Sequence, residues 1–400
     1  MIMLTGKTIV LGVTGSIAAY KIANLTSMLV KLNADVHVIM TQNATKFITP
    51  MTFETLTNNK CIVDTFDRNF NFDVKHVSLA KRGDLFMVAP CTANVIGKVA
   101  GGICDDMLTT TIMATKAPVV FAPAMNTGMW ENPILQDNLK KLKHYGYHII
   151  EPVVGRLACG DTGSGKMPSE EMLLEYIMLL LAKDKDLKGK KILVTAGPTQ
   201  EAIDPVRFIS NHSSGKMGYA IAKVAVLRGA EVTLVSGPVS ILPFTGIQKV
   251  DVKSAQEMYD AVTSRSDEQD VIIMCSAVAD YKPAGYSEQK IKKQDGDMSI
   301  SLERTQDILA YLGAHKHQRQ VIVGFSMETE NLIDRSLEKL TKKNVDLICA
   351  NSIASEKTGF GVDTNQVTLI SRQDVEELPL CSKEDTADMI LQKVAGLLSQ

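Results

Sequence analysis

Residues 183–198 read KDKDLKGKKILVTAGP, and the contrast between their two halves decides how the chain is organised. The charged stretch 183–191, with Gly189 inside it, offers little from which a core could form. From Lys191 the chain turns apolar and β-branched and then stops at Gly197-Pro198. A strand buried on both faces of a parallel sheet begins and ends in that way. The same pattern has already opened the chain once, where TIVLGV at 8–13 runs into Thr14-Gly15-Ser16. An α/β unit therefore starts twice, and the reading places two domains at 1–187 and 188–400.

Working outward from the boundary, residues 170–182 form a strongly apolar helix. Further short apolar runs lie at 35–40, 85–89 and 119–122 in the first half, and at 231–236, 270–275, 321–325 and 346–349 in the second. A hairpin-like pair is expected around 366–371. The first-half runs are read as lacking polar alternation, each bounded by Gly, Pro or polar residues, and amphipathic stretches separate the runs throughout. The fold class that follows is α/β, with two doubly wound domains built on mainly parallel sheets. The halves do not repeat each other in sequence.

Composition narrows the function classes. The chain has 400 residues, 45% hydrophobic and 22% charged, with a formal net charge of −2. Nucleic-acid binders usually carry a concentrated basic excess, so no nucleic acid is expected as a partner. No apolar run has the length of a membrane span. The N-terminal MIMLTGKTIVLGVTGSIAAYK is interrupted by Gly12, Gly15 and Ser16 and reads as a first strand, not a signal peptide. The seven cysteines (61, 91, 104, 159, 275, 349 and 381) are scattered, with no CxxC pair. Reduced thiols in a cytoplasmic enzyme account for them more simply than a zinc site does.

In the first half, Gly12-Val-Thr-Gly15-Ser16-Ile-Ala-Ala-Tyr-Lys21 stands where a strand turns into a helix. Glycines allow the tight turn, and N–H groups at a helix start can hold a phosphate. Taken alone, the turn also fits a purely structural role, and it is not GxGxxG, which favours a mononucleotide over a dinucleotide. Lys75-His76-Val-Ser78 places a histidine between apolar stretches. Ala122-Pro-Ala-Met-Asn126-Thr-Gly-Met-Trp130 follows a buried run and holds the one tryptophan. Leu157-Ala-Cys159-Gly-Asp-Thr-Gly-Ser-Gly-Lys166-Met167 is glycine-rich and is expected to be a mobile flap carrying a thiol. Residues 160–166 satisfy GxxxxGK, but Met167 stands where a P-loop needs Ser or Thr, so an ATP loop is rejected.

PAMNxxMW, the ACGDxGxGxM flap, the GxxGSIAAYK turn and KHVSLA together resemble the flavin-containing cysteine decarboxylases over residues 1–185. The resemblance implies FMN, with its phosphate near Gly15 and Ser16, and with Thr41, Thr92, Asn94, Asp105 and Leu108 lining the same cofactor. It further implies His76 as base and orienting group, Asn126 as holder of the departing carboxylate, and Cys159 as the acid that protonates the enethiolate.

In the second half, Gly197-Pro-Thr-Gln-Glu201-Ala-Ile-Asp204-Pro-Val-Arg207-Phe-Ile-Ser-Asn211 leads into His212-Ser-Ser-Gly215-Lys216-Met-Gly218 at a helix start. Ser and Gly there suit an anion site and simple capping equally. Ser276-Ala-Val-Ala-Asp280-Tyr281 ends a buried strand in a carboxylate. Lys290-Ile-Lys292-Lys293 is a lysine cluster that on its own reads as solvated surface, but its place soon after that acidic strand end suits phosphate neutralisation, and 305–308, 324–329 and 339–343 complete the series. This order resembles the phosphopantothenate–cysteine ligases over 188–400. The resemblance implies CTP with Mg2+ and an acyl-cytidylate intermediate. It implies Lys290 as the triphosphate stabiliser, Asp280 as nucleotide and metal ligand, and Asn211 on the intermediate. Met274, Cys275, Ser276, Thr305, Gln306, Asp307, Ile308, Phe325, Lys339 and Lys343 would complete the CTP pocket. In 305–307, glutamine stands where the ligase pattern has proline.

Both resemblances together imply a flavodoxin-like or Rossmann-like flavoprotein domain followed by a Rossmann-like ligase domain. The partners implied are 4′-phosphopantothenate, L-cysteine and CTP, with the chain assembled as decarboxylase trimers and ligase dimers, up to a dodecamer. Three rival readings fit the residues less well. A regulatory flavoprotein would not need His76, Asn126 and Cys159 together. A peptide cysteine decarboxylase has no use for the second half. A flavin prenyltransferase would lack PAMNxxMW.

Overall fold

The computed structural model describes residues 4–66, 75–156, 160, 162–292, 298–328, 332–352 and 361–399. The chain forms two compact units, Ile2–Ala182 and Lys183–Gln400.

In the first unit, β1 (Thr8–Val13) is followed by α1 (Ala19–Lys31), β2 (Asp35–Met40), α2 (Pro50–Thr57) and α3 (Lys75–Arg82). Next come β3 (Leu85–Cys91), α4 (Ala93–Gly101), α5 (Met107–Ala114), β4 (Val119–Pro123), α6 (Thr127–Trp130), α7 (Pro133–His144) and β5 (His148–Ile149). The unit ends with the hairpin β6 (Val153–Arg156) and β7 (Thr162–Lys166), then α8 (Glu170–Leu181). The sheet order is β2-β1-β3-β4-β5 and every pairing is parallel, with Val10 opposite both His37 and Phe86. All residues of β1, β3 and β4 are buried, which explains why those runs do not alternate. One core lies on each face. Phe53 and Leu25 belong to one, and Phe86 and Phe121 to the other.

The second unit opens with β8 (Lys191–Ala196), the hairpin β9 (Gln200–Ala202) and β10 (Phe208–Ser210), α9 (Lys216–Leu227), β11 (Glu231–Ser236), β12 (Ile247–Asp251), α10 (Ala255–Thr263) and β13 (Val271–Met274). A second hairpin, β14 (Tyr281–Pro283) and β15 (Leu302–Arg304), precedes α11 (Ile308–Ala314), β16 (Val321–Glu328), α12 (Leu332–Lys342) and β17 (Leu347–Ser352). The chain ends in β18 (Thr364–Asn365), β19 (Val367–Ser371), β20 (Val375–Glu377), β21 (Cys381–Ser382) and α13 (Lys383–Leu398). The sheet runs β12-β11-β8-β13-β16-β17-β19-β20, parallel through β17 and antiparallel beyond it. The pair expected around 366–371 is therefore the antiparallel edge of the main sheet. Helix α9 is apolar nearly all round because it is buried between that sheet and α13, to which Lys223 pairs through Glu384 at 2.5 Å.

The charged segment after Ala182 is less bare than its composition implies. Leu187 is 1% exposed, and its N–H donates to the Arg228 carbonyl at 3.0 Å. Arg228, 4% exposed, pairs with Asp186 and also reaches Asp388 at 3.4 Å, while Lys183 binds Asp388 at 2.7 Å. The Arg228 guanidinium holds the Asp186 carboxyl below its usual range. A lowered carboxyl contributes stability above its unfolded pKa and loses it as pH falls through the folded one. Arg228→Ala should cost this unit about 2 kcal/mol at pH 7, lowering its melting temperature by about 4–8 °C. The deficit in calorimetry should shrink as pH falls below about 4. An unchanged transition would show that the segment is not held by this arginine.

Candidate functional site

In a parallel sheet, the crevice that takes a ligand opens at the carboxyl ends of the strands where strand order reverses. In the first unit that point lies between β1 and β3. The buried Thr14 hydroxyl donates to the Pro90 carbonyl at 2.7 Å and accepts from the Thr92 N–H at 3.1 Å, stitching the two strand ends together. A Cβ on Gly15 would fall 2.6 Å from the Asn43 Cβ, so only glycine lets this turn lie against the loop after β2. Helices α1 and α4 start here, and neither has a side-chain cap, so their first N–H groups face the crevice end of the sheet.

The residues expected around a flavin distribute as follows. Gly15 and Ser16 follow β1, Thr41 follows β2, Thr92 precedes α4, and Asn94 is exposed in its first turn. Leu108 is buried in α5 against Gly12, where a Cβ would lie 2.6 Å from its Cδ1. Asp105 pairs with Lys98 at 2.7 Å, which holds its carboxyl below the usual range. Asp106 beside it caps α5 through the Thr109 N–H at 2.8 Å.

Asn126 lines a cleft of about 610 Å3 that adjoins the start of α1, with Ser16, Lys21, Arg156 and Lys166 in the same lining. Its Oδ1 accepts from the Gly128 N–H at 2.8 Å and the Met129 N–H at 3.4 Å, capping α6. His76, half-buried in the first turn of α3, does not line this cleft. Cys159 and Asp161 lie outside the described residues. The expected mobile flap is, over 162–166, the second strand of the β6–β7 hairpin. Its glycines permit contact, and flexibility is not what they supply. A Cβ on Gly165 would fall 2.3 Å from the Met125 carbonyl oxygen, and one on Gly163 2.4 Å from Thr127 Oγ1. The Met125 N–H donates to the Gly165 carbonyl at 3.0 Å.

The second sheet has the order 3-2-1-4-5-6 when its parallel strands are counted along the chain, and it reverses between β8 and β13. Again a threonine stitches the gap, with Thr195 Oγ1 accepting from the Cys275 and Ser276 N–H groups, each at 3.1 Å. Thr199 Oγ1 accepts from the Ala279 N–H at 3.0 Å. Gly218 allows α9 to close on β8, because a Cβ there would lie 2.6 Å from the Ala196 Cβ.

Two clefts flank this stitch. One, of about 510 Å3, is lined by Met274, Ser276, Asp280, Thr305, Gln306, Asp307, Ile308, Phe325, Lys339 and Lys343. These are the residues expected to bind nucleotide, apart from Cys275 and Lys290. Lys343 pairs with Asp307, whose carboxyl is pushed up by burial but drawn lower on balance by Lys343 and by the Ala310 N–H it caps. Lys339 donates to the Phe325 carbonyl at 3.0 Å. The other cleft, of about 500 Å3, holds Asn211, Ser214, Lys216, Cys275, Asn351 and Lys383. Ser276, Asp280 and Phe325 line both. Burial pushes the Cys275 thiol up to about 12, so it stays protonated on the cleft wall.

Lys290 lines neither cleft. Its neighbour Ile291 is held by the buried Asp204, which accepts the Ile291 N–H at 3.2 Å, and by Arg207, which donates to the Ile291 carbonyl at 2.8 Å. Asp204 also accepts from Arg207 Nε at 2.9 Å and from the Val206 and Arg207 N–H groups, each at 2.8 Å. Thr14, Thr195, Thr199 and Lys383 were not expected from the sequence. The only signal for the threonines is a hydroxyl at the end of an apolar run.

Gly165→Ala tests the hairpin contact directly, and Trp130, the single tryptophan, reports on it from α6. The substitution should cost about 1–3 kcal/mol of strain and shift Trp130 emission. Identical emission and stability would refute the close approach.

A protein-family model described as "DNA/pantothenate metabolism flavoprotein C-terminal domain" matches residues 187–398, and one described as "Flavoprotein" matches 2–182. The chain is 46% identical over 402 aligned residues to the coenzyme A biosynthesis bifunctional protein CoaBC of Bacillus subtilis (strain 168), covering 100% of this chain and 99% of that one. It is 42% identical to the protein of the same name from Escherichia coli (strain K12), covering 98% and 97%. A crystal structure of the C-terminal domain of a CoaBC protein is 45% identical, with a TM-score of 0.47, covering 54% of this chain and 99% of that one. With such identity sustained along its whole length, the chain belongs to the CoaBC family of bifunctional coenzyme A biosynthesis proteins.

Proposed function

We propose that residues 188–400 join 4′-phosphopantothenate to L-cysteine at the expense of CTP, and that residues 1–187 decarboxylate the product. The observation that carries the first half is the pair of clefts sharing one wall at Ser276, Asp280 and Phe325. Nucleotide in one and acyl substrate in the other would meet at that wall. The substrate carboxylate oxygen then attacks the α-phosphorus, the bond to the β-phosphate breaks, and pyrophosphate leaves. The cysteine amine next attacks the acyl carbon and CMP departs.

Asn211 Nδ2 donates to the Ala277 and Val278 carbonyls at 3.1 and 3.3 Å, which fixes its amide just beyond the end of β13 and leaves Oδ1 as an acceptor for an N–H or O–H of the acyl-cytidylate. Asp280 is exposed at the junction, where one carboxylate with the nucleotide's own phosphates is an ordinary Mg2+ arrangement. Lys290 would neutralise the triphosphate in the first step.

For the first half, the stitched strand ends, the uncapped helix starts and the glycine turn at Gly15 suit the phosphate of FMN. Bound there, the flavin supplies a two-electron oxidation of the substrate thiol and its later reversal. Asn126 holds the carboxylate, with the basic Lys21, Arg156 and Lys166 lining the same cleft. His76 orients the substrate, and Cys159 returns a proton. That His76 stands outside the Asn126 cleft suits a site completed between copies of the first domain, in trimers; dimers of the second domain, and a dodecamer of both, are what the family resemblance adds to this reading. The cytoplasm is the compartment that suits reduced thiols, and no described helix is long and apolar enough to cross a membrane.

The test supplies 4′-phosphopantothenate, cysteine, Mg2+ and either CTP or ATP to the purified protein and follows products by mass. Wild type should form 4′-phosphopantetheine with CTP. Cys159→Ser should stop after CO2 is lost, and Lys290→Gln should lose at least about 100-fold of pyrophosphate release. Failure to form the cysteine adduct with either nucleotide would overturn the ligase half. An adduct that is never decarboxylated would overturn the other.

A further inference from the structure

Lys383 opens α13 and lines the cleft that holds Asn211, although it lies 172 residues further along the chain. It is only 8% exposed. Its ammonium donates to two backbone carbonyls, Val362 at 2.6 Å and Thr364 at 2.9 Å. Among the described residues no carboxylate pairs with it. Asp363, whose charge still reaches Lys383, is bound at 2.7 Å to Lys216 and turns its carboxylate to solvent. Burial and the neighbouring Lys216 push the Lys383 ammonium down from the ordinary lysine range.

A nearly buried cation with no anion is costly and persists where a ligand supplies the opposite charge. An ammonium has three N–H donors, and two are used, so one remains for the cleft. The rest of the wall points the same way. Helix α9 begins at Gly215 with no side-chain cap, which leaves its first N–H groups and the positive end of its dipole at the cleft. Ser276 Oγ, in this lining and buried without a hydrogen-bond partner, can donate to an anion, whereas the equally orphaned Asn351 Oδ1 can only accept and calls for an N–H or O–H group on the same occupant. An apolar occupant would leave both unsatisfied.

We propose that Lys383 reads the phosphate monoester of the acyl substrate, making it a specificity-determining residue of the ligase half. This rests on the ligase reading given above. The ammonium and the α9 terminus together form a dianion site, with Lys383 pinning the 362–364 backbone and giving its remaining proton to a phosphate oxygen. The same phosphoryl chemistry is offered by the β- and γ-phosphates of CTP, so the two sources are separated by experiment.

Initial rates of pyrophosphate release would be measured for wild type and Lys383→Met, varying in turn 4′-phosphopantothenate, unphosphorylated pantothenate and CTP. The KM for 4′-phosphopantothenate should rise at least about tenfold, as loss of one charged hydrogen bond implies. The KM for CTP and the rate with pantothenate should not change. Lys383→Arg, which keeps the charge, should recover part of the preference for the phosphorylated substrate. A rise confined to the KM for CTP would assign the cation to the nucleotide and overturn the proposal. An equal loss with both acyl substrates would mean that the lysine only pins the backbone, which also overturns it. A wild type that makes no adduct defeats the ligase reading itself, whereas an active wild type with an unaltered Lys383→Met defeats only this inference. Should Lys383→Met not fold, acetylation of Lys383 in the wild type decides. Inorganic phosphate should slow it while labelling of the exposed Lys140 continues, and equal labelling with and without phosphate counts against the site.

Discussion

A parallel strand whose neighbours send their connecting helices to opposite faces of the sheet leaves a gap at its carboxyl end. Backbone groups there have no strand to pair with, and helix starts bring N–H groups and dipole ends to the same place. In this chain that gap occurs twice, between β1 and β3 and between β8 and β13. Each time a buried threonine holds the two strand ends together, Thr14 in one sheet and Thr195 in the other. Without those hydroxyls, buried N–H groups at each reversal would lose their acceptor, at about 1–3 kcal/mol apiece. The clefts on either side would also lose their common wall.

The second unit shows what such a wall can do. Ser276, Asp280 and Phe325 face a cleft on each side. One cleft presents the fixed Asp307–Lys343 pair and Lys339. The other presents a helix start and the nearly buried cation of Lys383, which has no carboxylate partner among the described residues. Two anionic substrates that must react with each other repel when free in solution. Separate cationic sites that share a wall offset that repulsion and bring the reacting atoms together. In the first unit, the close seating of β7 on the Met125–Thr127 segment gives Asn126 a fixed orientation, since its oxygen is already engaged in capping α6.

Most strands were legible in the sequence because strands buried on both faces have no need to alternate, as at 8–13 and 191–196, while those at 35–40 and 231–236 keep a polar residue at their first and third positions, where they are partly exposed, and turn apolar afterwards. The family was legible through short motifs of unusual composition. What could not be read was whatever depends on approach in space. The glycines at 163 and 165 look like a flexible loop, and only the Met125 carbonyl and Thr127 hydroxyl beside them show that they make room. Lys383 sits at the start of a C-terminal helix whose composition advertises nothing, and the cleft reaches it only through the fold. The linker after Ala182 read as bare charge, yet Arg228, at a helix end 42 residues beyond Asp186, ties it down, and Leu187 within it is buried.

The claim on which the rest depends is that a single acyl-nucleotide spans the wall between the two clefts of the second unit. Its most direct test is a crystal structure of the protein soaked with CTP, Mg2+ and 4′-phosphopantothenate, with cysteine withheld. The account requires density for an acyl-cytidylate with its cytidine against Met274, Ile308 and Lys339, and its acyl arm past Asp280 toward Asn211 and the start of α9. A nucleotide bound elsewhere, or two ligands confined to one cleft, would contradict it.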